Sequence, residues 1–115
     1  MPRGTKALAA KAKHKKVLKA TKGHYGARSR LFKTAKQSNV KSLQYAFRDR
    51  RNKKRTFRSL WISRISAALL PLEVSYSRFI NQLSKADIKL DRKSLAGIAF
   101  SDPATFKKIV EKVRV

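Results

Sequence analysis

Apolar residues recur at helical spacing in the second half of the chain and are thin elsewhere. Tyr76, Phe79, Ile80 and Leu83 fall at i, i+3, i+4 and i+7. That spacing predicts a short amphipathic helix, with Ser75 placed to cap it. Asp91 precedes RKSLAGIAF, whose apolar face is Leu95, Ile98 and Ala99, with Leu90 and Leu95 at hydrophobic-staple positions. Asp102-Pro103 reads as an N-cap followed by proline at the first helical position. It opens TFKKIVEKV, in which Phe106, Ile109, Val110 and Val113 face inward. Upstream, Leu60, Trp61, Ile65, Ala68 and Leu69 keep the same period until Pro71 ends the run. Trp61, beside Leu60 and Ile65, reads as core. Together these segments predict a small helical domain over residues 60–115.

The first half is different. Residues 1–7 read as an irregular tail, with Pro2 and Gly4 opposing a helix. Leu8 to Thr21 is built of strong helix formers, but its larger apolar positions are only Leu8, Val17 and Leu18. Such a short helix is marginal alone, so we expect it to persist only with a partner. Gly23 stands where a helix C-cap belongs, and Gly26 permits a second special backbone angle. A new helix is expected near Ala27–Ser29, and no proline interrupts the chain between Pro2 and Pro71. One helix from about Arg28 to about Leu70 is therefore permitted, with a bend near Ser38–Asn39. Leu31, Ala35, Leu43, Ala46 and Phe47 give it a thin face without heptads, so it is not a coiled coil. No alternating strand pattern appears. The fold class is all-α: a short N-terminal helix and a long basic extension, residues 1–59, leading into the small domain.

Charge changes this picture most. Thirty Lys and Arg stand against six Asp and Glu, a formal +24. Residues 1–64 hold 21 bases and one acid, a net of +20; residues 65–115 net +4. Seven bases lie between Arg48 and Arg58, and at 100° per residue they point all round the helix. No core absorbs that many cations without acidic partners. Self-repulsion argues against a compact free-standing first half, and a phosphate backbone is the natural counterpart. A solvated charge run rarely carries aromatics such as Tyr25, Phe32, Tyr45, Phe47 and Phe57.

The candidate RNA-binding residues follow from this distribution. In the N-terminal segment they are Arg3, Lys6, Lys11, Lys13, His14, Lys15, Lys16, Lys19 and Lys22. Around and after the glycines stand His24, Tyr25, Arg28, Arg30, Lys33 and Lys36. The dense stretch supplies Arg48, Arg50, Arg51, Lys53, Lys54, Arg55 and Arg58, followed by Arg64. From the domain we add Arg78, Lys85, Lys89, Arg92 and Lys93. Asp49, the one acid of the first half, reads as an i,i+4 partner for Lys53; the alternative is that it orients Arg48 or Arg50.

Other chemistries find little support. There is no cysteine, which excludes disulfides, thiolate zinc sites and cysteine nucleophiles. His14 and His24 have no acid near in sequence, and Asp87, Asp91 and Asp102 read as loop or capping residues. We expect no catalytic residue, metal, cofactor or small-molecule substrate. The longest nearly apolar run, Ala67–Leu72, is too short to span a bilayer. The N-terminus lacks an apolar secretory core, and its basic pattern continues far past a normal organellar leader. Gly23-His24-Tyr25-Gly26 matches the GXXG loop of KH domains, but without a sheet it reads as a turn between helices.

Three stretches resemble the bacterial-type large-subunit ribosomal protein L20 family: HKKVLKATKGHYGARSR (14–30), QYAFRDRRNKKRTFRSLWISRI (44–65) and SYSRFINQLSKADIKLDRKSLAGIA (75–99). The resemblance covers essentially the whole chain, and the middle stretch is its most specific part. It implies an extension threaded into large-subunit ribosomal RNA, a helical domain at the subunit surface and an early role in subunit assembly. It also implies neighbouring large-subunit ribosomal proteins as partners, no enzymatic activity, and a place on bacterial cytoplasmic ribosomes, with organellar ribosomes the alternative. Some members of such families bind the leader of their own mRNA and repress its translation. Departures from the family pattern are Lys11 and Lys13 in place of arginines, Ser66 for asparagine, and Leu69-Leu70-Pro71-Leu72-Glu73 for a more polar turn; Gln82 and Gly97 replace a frequent glycine and aspartate. Composition alone would also suit a DNA-compacting protein, which predicts equal binding to duplex DNA and structured RNA.

Overall fold

The computed structural model describes the backbone of residues 3–114 and the side chains of residues 7–114. Five α-helices follow in order: α1 (Arg3–Ala20), α2 (Phe32–Leu69), α3 (Tyr76–Lys85), α4 (Arg92–Ser101) and α5 (Pro103–Val113). Among the described residues there is no strand, as the absence of alternating patterns predicts. The chain divides into two compact units, Met1–Arg51 and Asn52–Val115, with α2 running through both.

In the first unit α1 starts at Arg3, where an irregular tail is expected, and includes Gly4. A glycine inside a helix costs roughly 1 kcal/mol relative to alanine, and the first-turn N–H groups have no intrahelical partner to lose. The penalty there is too small to stop a run of Ala, Leu and Lys. After α1 the chain turns at Gly23 (φ 87), and the His24 N–H bonds the Thr21 carbonyl at 3.1 Å. A positive φ at the third turn position is the reason for glycine there. Gly26 (φ 61) opens a 3₁₀ turn over Gly26–Ser29, and α2 begins only at Phe32. The helical register then continues through Ser38–Asn39 without interruption.

Little is buried in this unit. Of the expected thin face of α2, Ala35 alone is fully buried; Leu31, Leu43 and Phe47 are exposed. Thr21 is buried as well, its hydroxyl donating back to the Val17 and Leu18 carbonyls at 3.2 and 3.3 Å. A search for large apolar side chains passes over both residues.

The second unit has a contiguous core. Ile65 and Leu69 from α2 join Phe79 and Leu83, Leu95 and Ala96, and Phe106, Val110 and Val113. Phe79 and Phe106 meet at 5.7 Å in a tilted pair. Trp61 and Ala68 pack against the cluster from α2, but Leu60 is 41% exposed and lies outside it. At 100° per residue, Leu60 is rotated away from the Ile65–Leu69 line that the core selects.

Local signals set the helix ends. Asp91 accepts a bond from the Ser94 N–H at 2.8 Å, and Asp102 one from the Thr105 N–H at 3.0 Å. Ser75 takes the N-cap position of α3 but makes no capping bond, and Leu90 stays exposed outside the core. Pro71 stops α2 in a 3₁₀ turn over Leu70–Leu72, closed by Glu73 in the left-handed region (φ 54).

Candidate nucleic-acid interface

The functional geometry is a matter of which cations stay uncovered. In α1 every described side chain from Ala7 to Lys16 is exposed, which places Lys11, Lys13, Lys15 and Lys16 in solvent, together with Lys19 and Lys22. The side chains of Arg3 and Lys6 lie outside the described residues. His14 is exposed too, but its ring stacks on Phe32 at 3.9 Å between centroids. Arg28, Arg30, Lys33 and Lys36 are exposed around the turn and the start of α2. His24 is half-buried and shares a 2.7 Å hydrogen bond with the Ser38 hydroxyl, fixing the turn against α2. Tyr25, next to it, is 92% exposed.

Within the first unit's part of α2, exposed rings carry cations at helical spacing. Lys41 and Arg48 lie over Tyr45 at 5.3 and 4.8 Å, and Arg51 lies over Phe47 at 4.7 Å. Residues three and four apart share a helix face, which is what brings each cation over its ring. Arg48 also donates from Nε to Asp49 at 2.9 Å. That hydrogen bond, then the charge of the carboxylate, raises the Arg48 pKa above its ordinary value. Asp49 therefore pairs with its chain neighbour and not with Lys53, whose ammonium lies 6.0 Å over Phe57. The planar guanidinium fork meets a carboxylate better than a flexible ammonium does.

Every residue from Phe47 to Arg51 is exposed, and so is every residue from Asn52 to Leu60 in the second unit. These two runs hold Arg48, Arg50, Arg51, Lys53, Lys54, Arg55 and Arg58, of which only Arg48 meets a carboxylate among the described residues. The other ion pairs among the described residues, Lys89–Asp87 and Lys107–Glu111, are exposed and long at 3.7 and 3.9 Å. Pairs of that kind add little to stability. Both runs are thus exposed on all sides and carry cations on all sides.

The second unit places its remaining candidates less uniformly. Arg78, Lys85 and Lys93 are exposed, as is Arg64, which lies over the exposed Phe100 ring at 5.5 Å. Arg92 is half-buried and donates from Nε to the Tyr76 hydroxyl at 2.9 Å, so one edge of its guanidinium is committed inside the fold. Phe57 is 43% exposed and tilts against Trp61 at 6.2 Å.

One concavity of the first unit escapes a reading of charge runs. A groove of about 930 Å³ lies along α2 beneath the turn, lined by His24, Tyr25, Arg28, Gln37, Ser42, Tyr45 and Asp49 among others. Gln37 and Ser42 carry no pattern that marks them; only the turn closing onto Ser38 gathers them. The aromatic–cation pairs, by contrast, are readable from spacing alone. Among the described residues no three potential ligands cluster for a metal, and no helix is long and apolar enough to cross a membrane. The surface offers positive charge, hydrogen-bond donors and stacking rings.

Known proteins resemble this chain in sequence. Residues 3–109 match the family model described as ribosomal protein L20. The large ribosomal subunit protein bL20 of Bradyrhizobium sp. (strain BTAi1) is 55% identical over 114 residues, covering 99% of this chain and 96% of that protein. On the extent of both matches, the chain belongs to the ribosomal protein L20 family, whose members are structural, non-enzymatic constituents of the large ribosomal subunit.

Proposed function

We propose that this protein binds large-subunit ribosomal RNA directly through α1 and the exposed length of α2, bridging RNA segments during early subunit assembly. The observation that carries this reading is the bare cationic helix: every residue from Phe47 to Leu60 is exposed, with seven bases on all sides. One face of positive charge serves one phosphate backbone; charge all round serves several, neutralising RNA helices that otherwise repel each other. The extension, residues 1–59, orders further as it binds, and part of the binding energy goes into that ordering. Residues 60–115 act as a folded anchor. What supports a boundary there is the change in exposure, since from Trp61 onward α2 begins to contribute to the core. The anchor docks through Arg78, Lys85 and Lys93, and its exposed Phe100 suits a neighbouring ribosomal protein on a cytoplasmic ribosome. The same chemistry extends to a leader of its own messenger that folds into similar helices.

Salt titration tests the core of this. With about ten phosphates contacted, log K for a ribosomal RNA fragment falls against log salt with a slope of roughly −7 to −9. A slope near −2 overturns the reading. Equal affinity for duplex DNA in competition removes its RNA preference, and a gel shift with the chain's own leader decides the messenger role.

A further inference from the structure

The groove under the turn is chemically unlike the rest of the basic surface. A neighbouring groove on α2, of about 560 Å³, is lined by Phe32, Val40, Gln37 and the lysines 33, 36 and 41, with no carboxylate. That is a lining for phosphate. The groove of about 930 Å³ also has two cations in its lining, Arg28 and Lys41, but it adds Asp49, the one acid among the first 64 residues. A carboxylate repels phosphate, so its presence there argues for something other than a backbone contact. It accepts hydrogen bonds well from the N–H groups of a nucleobase edge.

The surroundings hold that carboxylate ready. Arg48 donates to one Asp49 oxygen at 2.9 Å while its guanidinium lies on the Tyr45 ring at 4.8 Å. Ring, guanidinium and carboxylate are thus linked in one chain of contacts, and the second carboxylate oxygen stays open. Tyr25, 92% exposed, lines the groove and presents a face on which an unpaired base can stack, whereas the Tyr45 ring there already carries Arg48 and Lys41. Gln37 adds an amide with both a donor and an acceptor. The volume exceeds what one nucleotide needs and lies in the range of small-molecule sites.

We propose that this groove takes a single unstacked guanine from RNA, its N1–H and N2–H donating to Asp49 and its ring stacking on Tyr25. Guanine is the base whose edge offers two adjacent donors: one meets the open Asp49 oxygen, and the other the oxygen that already accepts from Arg48 and has a second lone pair. The proposal rests on RNA binding by this chain and deepens it: the lysine- and arginine-rich surface supplies affinity, and the groove supplies selection.

The test uses the full-length protein and a set of RNA hairpins, identical except for one bulged nucleotide. The bulge is guanosine, inosine (which lacks the N2 amine) or uridine, and a fully paired hairpin serves as reference. Wild-type protein is expected to bind the guanosine bulge about tenfold more tightly than the paired hairpin, with inosine and uridine weaker, since stacking alone is worth about 1–3 kcal/mol per base. D49N is expected to lose the preference for guanosine over inosine, and Y25A to lose most of the preference for any bulge. Both substitutions are on exposed side chains, and both are expected to leave the salt slope unchanged. If D49N binds every hairpin more tightly in the same ratios, Asp49 is only a repulsive charge and the proposal fails. If wild-type protein binds all hairpins alike with a steep salt slope, the groove is not a base site while the RNA-binding reading stands. No binding to any hairpin or ribosomal RNA fragment overturns both.

Discussion

The two units hold similar amounts of helix by opposite means. In Asn52–Val115 the helices exist because they bury one another: Phe79, Phe106, Leu95 and Val110 are each at most 2% exposed. Among the described residues of Met1–Arg51 only Thr21 and Ala35 are buried, and the helices rest on backbone propensity and local pairs. The first arrangement covers its apolar side chains. The second leaves its charged surface uncovered and has no comparable core among the described residues.

The strongest way to break this contrast is to hollow the second unit. Phe106→Ala is expected to cost about 3–5 kcal/mol. In so small a core that is enough to abolish cooperative thermal unfolding in calorimetry. Amide exchange in α1 should stay as it was. A mutant whose melting is unchanged would mean that the cluster is not what holds this unit together.

Charge removal probes the other side. Replacing Arg50, Arg51 and Arg55 together with glutamine should leave the melting of the second unit intact and flatten the salt dependence of RNA binding by roughly two to three units of slope. Each is exposed with no acid partner among the described residues, so folding loses nothing by their neutralisation. Hydrogen exchange gives a finer version. Amides of Phe47–Leu60 should exchange quickly in free protein and become protected on ribosomal RNA, whereas those of α3 and α5 should be protected in both states.

A smaller effect separates the units by pH. Asp91 and Asp102 have lowered pKa values, caused first by side-chain hydrogen bonds with Ser94 and Thr105 and next by the backbone N–H groups of the same residues. Carboxylates depressed in the fold stabilise it above their unfolded value, about 3.9, and that contribution is lost as pH falls through the folded values. The second unit should therefore lose melting temperature below about pH 4. The double variant D91N/D102N, which keeps capping side chains but cannot titrate, should show a flatter acid limb. The smallest change is at Glu73, a non-glycine residue at φ 54. Glu73→Gly should relieve strain there, offset in part by greater freedom of the unfolded chain, for a net gain of up to about 1 kcal/mol in chemical denaturation.

Local chemistry was legible wherever a few adjacent residues decide it. The Asp91 and Asp102 caps, Pro103 at the start of α5, the stop at Pro71 and the turn at Gly23 each depend on a short stretch of chain. So did most of the core, because Phe79, Leu83, Phe106, Val110 and Val113 repeat at the helical period. What the periodicity missed lies where a contact has no period. Thr21 and Ala96 are buried though the apolar pattern does not single them out, and Leu60, read with the core, is exposed. Asp49 chose Arg48 over Lys53 through side-chain geometry that spacing does not encode.

The sequence by itself determined that this chain is helical, that its charge is concentrated in the first 64 residues and that a polyanion is its counterpart. Those follow from residue type and spacing, which act within a few positions or by simple summation. Tertiary structure alone decided which cations remain bare on every side of α2, and it alone gathered Tyr25, Tyr45 and Asp49 around one groove. That gathering depends on His24 meeting Ser38 across a gap of 14 residues. A contact of that reach is set by where two helices come to lie, and no local propensity contains it.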